Sequence, residues 1–189
     1  MAFSSVSSML DACKQSGRPL YEVILESDLA ESGLTRAESE AEMHRLWGVI
    51  CATSAGYCGD DRSMSGYAGG DAAKVAQAAG EGRLYADGYF AEVIAEALKT
   101  AECNACMKRI VAAPTAGSCG VLPAVLLPLF RAGRADEDAV CRALYVAAGF
   151  GQVVAARATL AGAEGGCQAE VGAASAMAAA ALTVLKNGT

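Results

Sequence analysis

Read for the spacing of its apolar positions, the chain is helical along most of its length. Residues 4–15 form an amphipathic pattern ended by Gly17, and a short helix over 20–29 closes at Ser32-Gly33. Thr35 with Glu38 three residues on is a capping box, which predicts a long helix through His44, Trp47 and Ile50 towards Ala55. Asp71 stands where a cap is expected for a helix over 72–79. Further helices are predicted over 90–107, from Pro123 onwards, over 136–160 and over 169–186. Pro128 is expected to kink its helix or end it early. No segment alternates apolar and polar residues, no β-branched cluster is bounded by turns, and no internal repeat is visible. The predicted fold class is all-α, a single compact multi-helix domain over 1–189.

Three segments interrupt the pattern: 56–70, 112–120 and 162–168. Each is Gly-rich and each precedes a helix, where unpaired backbone amides attract anions. They read either as ordinary connections or, if they converge, as the lining of a pocket for a carboxylate.

Composition narrows the function classes. Hydrophobic residues make up 53% and charged residues 19%, a globular balance. Aromatics are scarce while Ala and Gly are abundant, which suits closely packed helices. Net charge is −6 with no basic stripe, which argues against binding nucleic acid. Residues 1–8 lack the basic and apolar regions of a signal peptide, and the most apolar stretches carry Arg142, Gln152, Arg157 or Glu170. The expectation is a cytoplasmic protein with no membrane span.

Eight cysteines without a leader predict buried thiols rather than a disulfide framework. Cys103 and Cys106 form a CxxC, but inside a helical pattern, with no second CxxC at zinc spacing and no preceding strand. They read as neighbouring helical thiols. Cys13, Cys51, Cys58 and Cys141 read as structural. His44, the single histidine, lies in a charge-rich helix and reads as a solvent-facing or partly packed residue; one histidine excludes a histidine-rich metal site. Cys167 differs. Glycines flank it and a helix begins just after it, which is where a metal-ligating thiolate is expected.

Four segments together resemble the α subunit, or α domain, of bacterial iron–sulfur L-serine dehydratases. They are Ser65-Gly66-Tyr67-Ala68-Gly69-Gly70-Asp71 with Lys74, Asn104-Ala105-Cys106-Met107, the run from Ala113 through Pro114, Thr115, Gly117, Ser118 and Cys119 to Pro123, and the run from Gly162 through Cys167 to Gly172, with Met177 and Ala181 beyond. The resemblance implies conversion of L-serine to pyruvate and ammonia without PLP, with a [4Fe–4S] cluster as Lewis acid. It implies a β subunit or domain that completes the site, and an oligomer. It assigns Cys167 to the metal, and Ser65, Gly66, Asn104, Thr115, Gly117 and Ser118 to the substrate. The loop amides and the hydroxyls of Ser65, Thr115 and Ser118 are expected to hold the carboxylate. No residue is assigned as the base. The family's other cluster ligands fall beyond Thr189, so the α domain is expected to be incomplete at its C-terminus and the chain does not close the cluster by that scheme.

Other readings remain at this stage. An L-cysteine desulfidase of related fold shares the cluster chemistry and differs in substrate. A PLP-dependent dehydratase needs alternating strands and helices with a phosphate loop, neither of which the chain shows. A helical module that only binds a partner would carry no cluster.

Overall fold

Several helices start and stop where nearby side chains supply the hydrogen bonds that helix ends leave unmade. The computed structural model describes residues 3–86 and 88–188. Met1 and Ala2, at the start of the segment read as lacking a leader, Asp87 in the loop before residue 88, and Thr189 lie outside the described residues. In α1 (Val6–Ser16), the hydroxyl of Ser5 accepts from the Ser8 amide and Gly17 closes the C-terminus at φ 67°. Helix α2 (Leu20–Ser32) ends on Gly33, whose amide donates to Leu29. The Thr35–Glu38 box opens α3 (Arg36–Ala55): the Thr35 amide and hydroxyl donate to Glu38 at 2.9 and 2.7 Å. There follow α4 (Asp71–Gly80), α5 (Gly88–Ala105), a 3₁₀ turn (Ala116–Ser118) and α6 (Val121–Arg131). Asp136 caps α7 (Glu137–Arg157), accepting from the Ala139 amide at 2.8 Å. The chain ends with α8 (Gly162–Cys167), a π-helical turn (Gln168–Gly172) and α9 (Ala173–Leu185). Among the described residues there is no strand, so the all-α class holds.

Two local expectations change. α6 runs on through Pro128 to Arg131, because Leu126, Leu127 and Leu129 on either side of the proline are all buried and hold the helix in place. Residues 162–167, expected as a break, form a helical turn in which Gly166 alone leaves helical geometry, at φ 65° and ψ −164°.

The described residues fall into two compact units, Met1–Arg45 with Asp136–Thr189, and Leu46–Ala135. In the first, α7 packs on α2 and α9. Met9, Ile24, Val146 and Val153 form its core. Gly149 lets Ile24 lie against α7, since a Cβ there would sit 2.5 Å from the isoleucine Cδ1. Ser39 and Tyr145 share a buried hydrogen bond of 2.8 Å. His44 is partly packed, with Nδ1 2.8 Å from Glu137 and Nε2 3.6 Å from Asp138. By length and composition Glu137–Arg157 and Gly162–Leu185 are apolar enough to cross a membrane. Ten residues of α7 are buried inside the protein, so its apolar surface is largely used in packing.

In the second unit α5 packs on α4 and α6. Trp47, from the last part of α3, meets Phe130 edge-on with ring centroids 5.4 Å apart. Beside this apolar core lies a buried carboxylate, Glu96. It accepts from Arg131 at 2.6 Å, from Lys99 at 2.7 Å and from the Ser54 hydroxyl, which Arg131 also contacts. Burial alone would raise the Glu96 pKa, but these three donors outweigh it and hold the group below its usual value.

The C-terminus of α5 is closed by a Schellman motif: Lys108 donates to Cys103 at 2.9 Å and Met107 to Asn104 at 3.0 Å. The left-handed position of this motif usually carries glycine. Here it carries Met107 at φ 59°, with its side chain exposed.

Two predictions follow from this unit. Because Glu96 has a depressed folded-state pKa, it contributes stability above the unfolded value near 4.5 and loses it as pH falls through the folded value. Thermal unfolding between pH 7 and pH 3 should therefore show wild type well above Glu96→Gln at neutral pH, with the gap narrowing in acid; a gap independent of pH contradicts the assignment. Met107→Gly should relieve left-handed strain and stabilise the chain by about 1 kcal/mol, read as a higher denaturant midpoint.

Candidate functional site

Helix α4 begins without a local cap. Its N-cap is Gly70 at φ 86°, and no side chain next to it bonds to the helix amides. Asp71, expected to cap, is instead the first helical residue, and its carboxylate pairs with Lys74 at 2.8 Å. Crowding explains the glycine. A Cβ on Gly70 would lie 2.9 Å from the Gly59 carbonyl oxygen and 3.0 Å from the Arg62 guanidinium, and one on Gly69 would lie 2.1 Å from the Asp61 carbonyl oxygen. No Ser, Thr, Asn or Asp fits at the N-cap, so the cap comes from elsewhere in the fold.

It comes from Glu102, near the end of α5. One carboxylate oxygen accepts from the amides of Asp71 at 2.7 Å and Ala72 at 3.1 Å. The other accepts from the Gly70 amide at 3.0 Å and the Tyr57 hydroxyl at 2.7 Å. The Tyr57 oxygen in turn accepts from the Ala73 amide at 3.3 Å. Four successive amides at the start of α4 are thus satisfied by two side chains. Burial, and next the hydrogen bond to Glu102, push the Tyr57 pKa up to about 12, so its hydroxyl stays a donor at neutral pH. The N-terminus of α4, one of the three loop ends expected to receive a ligand carboxylate, is filled by a carboxylate of the chain itself.

The same end of α5 holds the 112–120 loop. Two residues beyond Glu102, the Asn104 side-chain nitrogen donates to the Ala116 carbonyl at 3.0 Å. Thr115 and Ser118 hydroxyl oxygens lie 3.2 Å apart, and Ser118 also donates to the Thr115 carbonyl. Ser118 is buried, so its hydroxyl stiffens the loop from within; Gly117 is exposed and Thr115 half-buried. Across the 56–70 loop, Ser65 and Gly66 are exposed, with the Ser65 hydroxyl 3.1 Å from that of Ser63. Lys108 pairs with Asp61 and donates to the Gly56 carbonyl at 3.2 Å, pinning the start of this loop to the α5 cap. Six of the expected site positions therefore lie in one unit, on or beside two loops anchored to the last turns of α5.

The cysteines divide by burial. Cys103 and Cys119 are buried, which raises the pKa of both thiols. The structure brings Cys58, read as structural, to a narrow crevice shared with Cys103 and Cys106, and its side chain is exposed there. Cys167 belongs to the other unit. It is exposed, ends α8, and opens the continuous helical run through the π turn into α9. A π turn of this kind is frequent at functional positions. Open space surrounds the Cβ position of Gly166 just before it. Glu170 folds back over Gly162, where a Cβ would meet its carboxylate at 2.6 Å. Among the described residues no three Cys, His, Asp or Glu side chains come together as a metal site. Cys167 offers one exposed sulfur at this position.

Glu102 and Tyr57 are the site residues that local sequence reading passes over. The signal was present: Glu96 and Glu102 both interrupt the buried stripe of α5 that Ala91, Ala95 and Cys103 mark.

Comparison with known proteins gives these loops a context. The serine dehydratase alpha chain family matches residues 15–189. The L-serine dehydratase alpha chain of Peptoniphilus asaccharolyticus is 35% identical over 187 residues, covering 98% of this chain and 64% of the relative. The probable L-serine dehydratase alpha chain of Bacillus subtilis is 34% identical over 188 residues, covering 99% of this chain and 62% of the relative. That of Latilactobacillus sakei is 51% identical over 98 residues, 52% of this chain and 47% of the relative. The chain thus spans less than two thirds of the length of the first two relatives. A match from residue 15 to residue 189, across both units and all three Gly-rich loops, shows that this chain belongs to the serine dehydratase alpha chain family.

Proposed function

We propose that the chain is the α portion of an enzyme that deaminates L-serine to pyruvate and ammonia. The observation that carries this reading is the likeness to L-serine dehydratase alpha chains along nearly its whole length. The designation of those relatives as alpha chains supports a second chain or domain, the β portion, as partner.

The geometry supports a division of labour. The 56–70 loop carries Ser65 and Gly66, the 112–120 loop carries Thr115 and Gly117, and Asn104 at the end of α5 holds the second loop; these positions suit the polar ends of a small amino acid. Because Glu102 fills the α4 amides, those amides are closed to the substrate carboxylate, and we assign it to the 112–120 loop and the exposed Ser65–Gly66 turn. Ser65, Thr115 and Asn104 are the side chains there that reach a surface; Ser118 acts by holding the loop's shape. A [4Fe–4S] cluster with Cys167 as one ligand is part of the proposal; when bound, it supplies a Lewis acid for the departing hydroxyl. Among the described residues no group of three Cys, His, Asp or Glu completes its coordination.

The test uses the complete α chain with its β partner, reconstituted without oxygen with iron and sulfide. Pyruvate should form from L-serine in preference to L-cysteine. Cys167→Ser should lower turnover by roughly 100-fold or more with helicity unchanged, since a hard oxygen replaces a soft sulfur on iron. Cys103→Ser and Cys106→Ser should retain most activity. Absence of serine turnover by the reconstituted assembly contradicts the function, and loss of the cluster in Cys106→Ser but not Cys167→Ser reverses the ligand assignment.

A further inference from the structure

A helix start usually receives its cap from the residue before it or the turn after it. In α4 that route is closed by the contacts at Gly69 and Gly70, and the cap is a carboxylate thirty or so residues away in sequence. The arrangement has a consequence beyond satisfying amides. Glu102 fixes residues 70–72, the end of the 56–70 loop and the start of α4, to α5, and Asn104, two residues further along, fixes the 112–120 loop to the same helix. One turn of α5 therefore sets the separation of the two loops.

We propose that Glu102, with Tyr57, is a positioning residue for the amino-acid substrate. The inference rests on the reading above that these two loops meet L-serine. Glu102 itself is out of reach of a ligand: it is 7% exposed, and both oxygens are already engaged, each by two donors. Its influence passes through Gly70 and Tyr57 to the placement of Ser65 and Gly66. A loop set a fraction of an ångström wrong weakens ground-state binding of the substrate, so the effect belongs in KM more than in kcat.

The substitution Glu102→Gln isolates this role. A carboxamide keeps the size of the carboxylate but has one oxygen and one NH₂ group. If its oxygen keeps the Asp71 and Ala72 amides, the NH₂ faces the Gly70 amide, donor against donor. The Tyr57 hydroxyl can turn to accept from the NH₂; the Gly70 amide cannot turn. The start of α4 survives while the Gly69–Gly70 hinge loses its anchor. Tyr57→Phe removes the link to Ala73 and should act in the same direction, more weakly. Glu96→Gln is the control, being another buried glutamate on the same helix, one that touches neither loop.

In the reconstituted enzyme, Glu102→Gln should raise the KM for L-serine by ~10-fold with kcat within about threefold of wild type, while Glu96→Gln lowers thermal stability and leaves KM unchanged. If Glu102→Gln shifts KM no more than Glu96→Gln does, the residue is a structural cap only and the proposal is overturned. Should the wild-type assembly fail to consume serine, the functional reading fails, and the positioning claim is decided on the 189-residue chain by trypsin. Cleavage after Arg62, in the 56–70 loop, should be ~10-fold faster in Glu102→Gln than in wild type and Glu96→Gln. Equal rates overturn it.

Discussion

The conformation of the unit that carries the two candidate loops depends on one buried carboxylate lodged against four donors. Burying an ionised glutamate carries a desolvation cost that only close, well-directed hydrogen bonds offset. Glu102 has them: three backbone amides at a helix start and one tyrosine hydroxyl, between 2.7 and 3.1 Å. The partial positive charge of the α4 N-terminus adds to the fit. The arrangement ties a loop rich in glycine, which has little tendency of its own to hold one shape, to the middle of a packed helical unit.

The same logic organises the neighbouring loop by weaker means. Asn104 contributes one hydrogen bond, and the Thr115–Ser118 hydroxyl pair stiffens the loop internally. Lys108 closes the third side, joining the end of α5 to Asp61 and Gly56. Both segments gain part of their order from α5, beyond the hydrogen bonds they make within themselves. A glycine-rich loop can then present backbone atoms and small hydroxyls at the surface while remaining fixed.

Much of the fold was legible in the sequence because its signals are local. The Thr35–Glu38 box, the Asp136 cap and the glycines at 17 and 33 all act within four residues of the helix ends they define. The burial of Cys103 and Cys141 likewise follows from apolar helical spacing. What escaped reading acts at a distance. Asp71 has the chemistry of a cap, but the crowding of Gly69 and Gly70 against residues 59–62 moves that task to Glu102. Pro128 is a helix breaker by local rule, and burial of the leucines around it overrides the rule. Cys58 meets Cys103 and Cys106 only through the path of the 56–70 loop. For the candidate site, glycine content and the break in periodicity picked out the loops and the resemblance assigned residues on them, whereas the helix that positions two of them emerged only from the fold.

Amide hydrogen exchange at the start of α4 tests the central claim most directly. Gly70, Asp71, Ala72 and Ala73 have no backbone acceptor inside the helix, and an uncapped helix start exchanges at close to the rate of an open loop. With Glu102 and Tyr57 in place, all four amides should exchange slowly, and Glu102→Gln should release Gly70 first while the interior of α4 stays protected. Fast exchange of these four amides in the wild-type chain would contradict the account.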